Sequence, residues 1–306
     1  HSGGSRMGSI DHVPVMSDEI IDILSKIDRL DLLIDATLGL GGHALRICST
    51  FPSVVILGVD QDEEALAIAS KKLADFKDRV MLVKSNFKLI DDIVMSHLSG
   101  RLADAVLFDL GVSSMQVDDE ERGFSFNKEG PLDMRMDKQG AISAYDLINK
   151  LTVDELTEIF YKYGEERYSH LLAKAIVRYR ERHGQISSTT ELVEIVRNAL
   201  PARIQRHMGK HPARKIFQAL RIVVNDEINA LKQGLTKSVD CVRSGGVIIV
   251  LSYHSLEDRL VKHTFKQWES DGRGRLYSKK PILPKPEEVE RNPRSRSAKL
   301  RAFIKS

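Results

Sequence analysis

The chain has 306 residues, a formal net charge of +3 and 42% hydrophobic residues, enough apolar content for one large or two moderate globular domains. Two cysteines, Cys48 and Cys241, both in apolar helical contexts, are too few for a disulfide framework or a zinc site and point to a reducing compartment. No apolar run reaches membrane-spanning length and no signal peptide is visible, which argues against a membrane role.

Residues 1–9, rich in Ser and Gly, read as an expression-tag remnant, so a targeting segment ahead of them could have been removed. After His12-Val13-Pro14-Val15-Met16, Ser17 is placed to N-cap an amphipathic helix carrying Ile20, Ile21, Leu24 and Ile27. Leu32 to Asp35 then reads as a strand, Gly39, Gly41 and Gly42 as a tight loop, and the segment from about Ala44 as a helix. Such a loop leaves no Cβ between backbone and ligand, and its N–H groups near the helix N-terminus can face a polar or anionic group. A second strand, Val54 to Val59, ends in Asp60, where a carboxylate can accept both hydroxyls of a ribose. Together they indicate a nucleoside cofactor.

Gly39-Leu40-Gly41-Gly42-His43-Ala44 also fits the relaxed dinucleotide fingerprint, which keeps a nicotinamide or flavin enzyme as an alternative. Asp35 weighs against it. A carboxylate four residues before the first glycine would repel a pyrophosphate, but it favours the cationic sulfonium and ammonium of S-adenosyl-L-methionine. In this respect the stretch resembles the first motif of class I methyltransferases.

Glu63 to Phe76 is helical by period and Val80 to Val83 is a third strand, followed by Asn86 and Phe87, placed to hydrogen-bond or stack on an adenine. Ala105 to Phe108 is a fourth strand that ends in Asp109, with Gln116 shortly after. Between 118 and 211 the alternation stops, and capping-box patterns at Thr152, Ser188 and Ser143 introduce helices of an inserted domain. One long helix from Ile216 to Val239 leads back to the main domain, spanning 10–117 and 212–306, and Ser244-Gly245-Gly246 ends it. Val247 to Leu251 is a buried strand with His254 at its carboxyl end, Ser255 to Asp258 cap the next helix, and about Lys299 to Ile304 form the last strand. Glu194 and Asp226 bracket a stretch with no acid but many cations, among them Arg203, Arg206, Lys210, Arg214 and Lys215, and the segment after Asp271 is also basic. Two basic regions in a cofactor-binding chain suggest a nucleic-acid partner.

With these residues in place, the chain resembles, over nearly its whole length, the bacterial-type 16S ribosomal RNA (cytosine-N4) methyltransferase family, also called RsmH or MraW. The matching segments include Gly39-Leu40-Gly41-Gly42-His43, Asp109-Leu110-Gly111-Val112-Ser113-Ser114 and Arg122-Gly123-Phe124-Ser125-Phe126. Further along come Gly130-Pro131-Leu132-Asp133-Met134-Arg135-Met136-Asp137, Tyr163-Gly164-Glu165-Glu166-Arg167, Phe217-Gln218-Ala219-Leu220-Arg221, His254-Ser255-Leu256-Glu257-Asp258-Arg259 and Asn292-Pro293-Arg294. Ala44, Ile216 and Tyr253 depart from the family's usual residues without removing a charged or glycine position.

The resemblance implies an α/β fold: a class I S-adenosylmethionine-dependent methyltransferase with a Rossmann-like doubly wound sheet and an inserted helical domain. It implies methyl transfer from S-adenosyl-L-methionine to N4 of a cytidine in the decoding region of small-subunit ribosomal RNA, free or in the assembled subunit. A homodimer is compatible with it, and the compartment is the cytoplasm, or an organelle matrix or stroma if a transit segment was removed. Gly41, Gly42, His43, Asp60, Phe87, Asp109 and Gln116 carry over as cofactor residues, joining Asp35 and Gly39; no metal is called for.

Because the sulfonium is already activated, the enzyme mainly has to align amine, methyl and sulfur and exclude water. A cytosine amine is a weak nucleophile that also loses a proton, so an acceptor is needed. Asp109 is the first candidate, with His254 and Asp133 as alternates and Arg135 as a donor to base or phosphate; Asp109 could equally serve the cofactor alone. A non-catalytic RNA-binding protein would retain the basic stripe but have no need of Gly41, Gly42 and Asp60.

Overall fold

A computed structural model describes residues 13–306. Residues 1–12, among them the expected tag remnant 1–9 and His12 of the His12-Val13-Pro14-Val15-Met16 segment, lie outside the described residues. The strands are β1 (Leu32–Asp35), β2 (Val55–Asp60), β3 (Val80–Lys84), β4 (Ala103–Asp109), β5 (Val242–Ser252), β6 (Gly274–Leu276) and β7 (Lys299–Lys305). They form a seven-stranded sheet in the order β3-β2-β1-β4-β5-β7-β6. The first five neighbours run parallel, and β7 is antiparallel to both β5 and β6. This is the Rossmann-like sheet of class I methyltransferases.

Covering on both faces explains the unbroken apolar runs of the central strands. Every residue of β1 is buried, and alternate residues serve opposite layers. Leu33 packs with Ile20, Ile23, Leu24, Ala44 and Ile47, whereas Leu32 and Ile34 pack with Ile93, Leu231, Leu235, Phe265 and Trp268. Register sets the carboxyl ends level: Asp35 lies opposite Gly58 and Leu107, and Asp109 opposite Leu251. Strand order reverses about β1 and β4, so a crevice opens above their ends, where ligands collect in such sheets.

The helices between β4 and β5 build a third core, with Leu156, Phe160, Ile176, Leu192 and Val196. Ile216, Phe217, Ala219 and Leu220 also belong to that core, so the helix that contains them packs in the inserted unit, not in the main domain. The predicted single long helix is two, Arg214–Val224 and Glu227–Ser238. The break is set by contacts from a distant loop. Asn225 Oδ1 accepts from Met136 N–H (2.8 Å) and its Nδ2 donates to Met134 O (2.9 Å), and Asp226 follows with φ of 48°. Other boundaries also move. Met16, left-handed and without a side-chain cap, precedes the helix Ser17–Lys26, so Ser17 is its first residue. Helix Glu63–Lys72 gives way to a 3-10 turn, and Ser244-Gly245-Gly246 sits within β5, beside a register irregularity.

Arg122 ties the two units together. Its side chain is 3% exposed and donates to Asp62 Oδ2 (2.7 Å), Glu64 Oε2 (3.1 Å) and the carbonyls of Arg135 (3.1 Å) and Met136 (3.0 Å). Gly123 follows at φ of 68°, where a Cβ would lie 2.0 Å from Pro131 O, so only glycine admits the close pass of the two segments.

Candidate active site

A cavity of about 540 Å³ occupies the crevice. From the predicted residues it gathers Gly39, Gly42, His43, Asp60, Phe87, Asp109, Gln116, Arg214 and His254. Asp35, Gly41, Asp133, Arg135, Arg203, Arg206, Lys210 and Lys215 are not on its wall.

Two of the three glycine amides of the loop are not available to an anion. Gly39 N–H donates to Asp60 Oδ2 (2.8 Å) and Gly41 N–H to Leu38 O (3.0 Å), so both amides are used inside the protein. Gly41, at φ of 84°, backs onto the next helix: a Cβ there would meet Leu73 Cδ1 at 3.2 Å and Ala69 Cβ at 3.3 Å. The left-handed φ and this close pass both call for glycine at 41. Asp60 is oriented by Gly39 N–H on one oxygen and Asp62 N–H (2.9 Å) on the other, and it keeps lone pairs toward the cavity. Burial raises its carboxyl to about 6.

Asp35 lies beneath the cavity floor, 1% exposed. Its Oδ1 accepts from Thr37 N–H (3.2 Å), but its buried Oδ2 has no hydrogen-bond partner. Burial pushes its carboxyl up to about 7, against the pull of His43 and with a further push from Asp109 and Asp60. Three carboxylates thus share one small volume. That field would repel a pyrophosphate and suits a cation, and the orphaned Asp35 oxygen is the specific observation that fits the sulfonium and ammonium of S-adenosylmethionine.

Asp109 ends β4 with its backbone N–H donating to Thr37 Oγ1 (2.5 Å). Its Oδ1 accepts from Tyr253 O–H (2.8 Å) and Gly111 N–H (3.1 Å), and its Oδ2 from His43 Nε2 (3.1 Å). Oδ1 is therefore filled, and Oδ2 retains one acceptor site. Burial and the Asp109 charge hold the Tyr253 hydroxyl well above its ordinary range, so it stays a donor. Phe87 packs edge-on against Phe108 at 5.4 Å and beside Gly234.

Several predicted residues have other partners. Gln116 closes a capping box with Ser113 and donates to Asp62 (2.9 Å), so both ends of its amide are engaged within the protein. His254 caps the helix Ser255–Ser270, taking the place expected of Ser255: its Nδ1 accepts from Glu257 N–H (3.4 Å), and its Nε2 lies 3.0 Å from Glu257 Oε1 without hydrogen-bond alignment. With Nδ1 occupied, the ring has no lone pair free to take a proton from a substrate. Asp133 is bound by Arg135 through Nε (2.7 Å) and Nη2 (3.0 Å), away from the cavity, and this pairing removes both from the reacting centre. The basic stripe divides: Arg214 reaches the cavity, Lys215 donates to Glu165 O (3.2 Å), and Arg203, Arg206 and Lys210 are exposed outside it.

Sequence reasoning gave no site role to Thr37, Met136, Glu227 and Glu257, and counted Arg221 only among the cations of the basic stripe; all five are on the cavity wall. A signal for one of them was present. Arg214, Gln218, Arg221 and Asn225 recur at helical spacing opposite the apolar face of Ile216 and Leu220.

The model of the MraW methylase family matches residues 9–306. Curated relatives named ribosomal RNA small subunit methyltransferase H include one from Carboxydothermus hydrogenoformans, 46% identical over 309 residues and covering 96% of this chain and 97% of that protein. Another, from Persephonella marina, is 43% identical over 293 residues, covering 95% and 98%. One from Paenibacillus sp. is 43% identical over 315 residues, covering 96% and 99%. With an acid-lined crevice at the switch point of a methyltransferase sheet and a match along nearly its whole length, the chain belongs to the MraW methylase family.

Proposed function

We propose that this chain transfers a methyl group from S-adenosyl-L-methionine to N4 of a cytidine in the decoding region of small-subunit ribosomal RNA. The substrate class follows the name of its relatives, and the observation that carries the chemistry is the set of Asp35, Asp60 and Asp109 at the carboxyl ends of β1, β2 and β4. Asp60 is the ribose acceptor, Phe87 borders the adenine, and the Asp35 charge lies under the cationic end.

When bound, S-adenosylmethionine supplies an activated methyl group whose bond to sulfur breaks with the electron pair left on sulfur. The rest falls to the chain. Asp109 Oδ2, through its remaining acceptor site, takes a hydrogen bond from the cytosine amine, which raises electron density on nitrogen and orients its lone pair. Tyr253, Gly111 and His43 hold that carboxylate so that it needs no reorganisation. The amine proton leaves to Asp109 or solvent after the nitrogen–carbon bond has formed. A target base must be unstacked to reach the methyl group in this crevice. The exposed cations Arg203, Arg206 and Lys210 supply phosphate contacts around it. Both cysteines are free and buried, in keeping with a bacterial cytoplasm.

Small subunits lacking the modification, and their deproteinised RNA, are incubated with methyl-labelled S-adenosylmethionine and digested to nucleosides. N4-methylcytidine is the expected product. Label on another nucleoside, or none although the cofactor binds, would contradict the reading.

A further inference from the structure

Helix Arg214–Val224 presents a polar stripe to the cavity that cofactor binding leaves unexplained. Arg214, Gln218, Arg221 and, one residue past the helix, Asn225 all line it. Asn225 is spent on Met134 and Met136, and Gln218 donates to Tyr163 O (3.1 Å). The two arginines differ in their surroundings. Arg221 Nε donates to Glu227 Oε2 (3.0 Å), which fixes the guanidinium plane, while neither Nη is engaged in a described hydrogen bond. Its side chain keeps 20% of its surface, on the cavity side of the helix. Glu257, whose Oε2 accepts from Tyr253 N–H (2.8 Å), is also on this wall, so it runs on through Tyr253 to Asp109. Arg214 has no carboxylate within ion-pair distance among the described residues, and its buried Nε has no hydrogen-bond partner.

We propose that this stripe is the subsite for the target nucleotide, with Arg221 donating to the carbonyl edge of the pyrimidine and Arg214 binding its phosphate. The inference rests on the function proposed above. Two acids beside Arg221 disfavour a phosphate there and leave its outward N–H groups for a neutral acceptor, which the 2-carbonyl of cytosine provides and adenine lacks. Arg214 carries an uncompensated charge suited to an anion. Seven helical residues separate the two, about 10 Å along the axis, of the order of one nucleotide from base to phosphate. Asp109 reads the amine and Arg221 the carbonyl, so both edges of the pyrimidine are held while the nitrogen faces the methyl group.

The test uses the full chain and small subunits lacking the modification, comparing wild type, Arg221→Ala, Arg221→Lys and Arg214→Ala. Each is measured for S-adenosylmethionine affinity by calorimetry and for kcat and KM against subunit at several salt concentrations. Arg221→Ala is expected to lose about 10- to 100-fold in kcat/KM, the discrimination of one good base contact, with cofactor affinity unchanged. Arg214→Ala is expected to raise KM and lower the salt slope by about one. Subunits carrying 2-thiocytidine at the target weaken the acceptor, so wild type is expected to lose rate on them and Arg221→Ala to lose none further. Should Arg221→Ala fail to fold, Arg221→Lys, which keeps the charge beside Glu227, decides by the same loss. Unchanged kcat/KM in the Arg221 variants, or equal loss on 2-thiocytidine by wild type and variant, overturns the proposal. A wild type that binds cofactor but methylates no cytidine overturns instead the function on which it rests.

Discussion

The two sides of the cavity are built on opposite principles. On the sheet side, polar groups are bonded to one another: loop amides to Asp60, three donors to Asp109, Thr37 to the backbone of β4. What is left over there is unused acceptor capacity, above all the orphaned oxygen of Asp35, which a cation would favour in its ionised form. On the helical side the leftover groups are cationic donors, Arg214 and the outer nitrogens of Arg221. A small cation needs a rigid site whose field is in place before it arrives, whereas a large polyanion supplies its own acceptors and needs donors waiting for them. The contrast separates a cofactor floor from a substrate wall.

The largest expected effect joins the two sides. Asp109→Asn keeps the shape of the side chain but removes the charge that accepts the amine proton, and its kcat is expected to fall by about 10²- to 10⁴-fold. A kcat close to that of wild type in single-turnover transfer would assign Asp109 to cofactor binding alone. Next comes the tie between the two units. Arg122→Met leaves the buried Asp62 carboxylate without its ionic partner and is expected to cost about 3–5 kcal/mol in urea unfolding, the usual penalty for stranding one buried charge. A loss below about 1 kcal/mol would mean that the two units hold together without it.

Asp35 supplies a pH test of the floor. Its folded value of about 7 exceeds the ordinary 3.8, so between those values the folded state binds the proton that the unfolded chain has released. Stability of the cofactor-free protein is therefore expected to fall as pH rises through that window, and to level off above about 7. A cation over Asp35 favours ionisation, so S-adenosylmethionine binding below about pH 7 should release a proton. Calorimetry in buffers of differing ionisation enthalpy measures that release, and Asp35→Asn should reduce it to the part contributed by Asp60, itself raised to about 6. Proton uptake instead would mean that no positive charge sits near this carboxylate. The smallest effect is outside the cavity: Arg203→Ala, Arg206→Ala and Lys210→Ala should each weaken subunit binding modestly and reduce its salt slope by about one. No change in that slope would remove these exposed cations from the RNA path.

Much of the sheet was legible because its strands are covered on both faces and read as unbroken apolar runs. The acids at their ends were legible because register follows from those runs. The break at Asn225 was not, since it depends on hydrogen bonds to Met134 and Met136 from a loop some ninety residues away in sequence. The same limit hid the consumption of the Gly39 and Gly41 amides, because a glycine pattern states what a loop can do and not which acceptors reach it. His254 and Asp133 illustrate a further gap. Both have the chemistry of a proton acceptor, but Glu257 N–H and Arg135 already occupy them, and such pairing is visible only in three dimensions.

The division between floor and wall is tested most directly by S-adenosylmethionine affinity in Asp60→Ala and Arg221→Ala, titrated side by side with wild type. The expected result is binding weakened at least about tenfold in Asp60→Ala, the cost of a lost charged hydrogen bond, and wild-type affinity in Arg221→Ala. Equal weakening in both, or undiminished binding in Asp60→Ala, would contradict a cofactor site built on the sheet side alone.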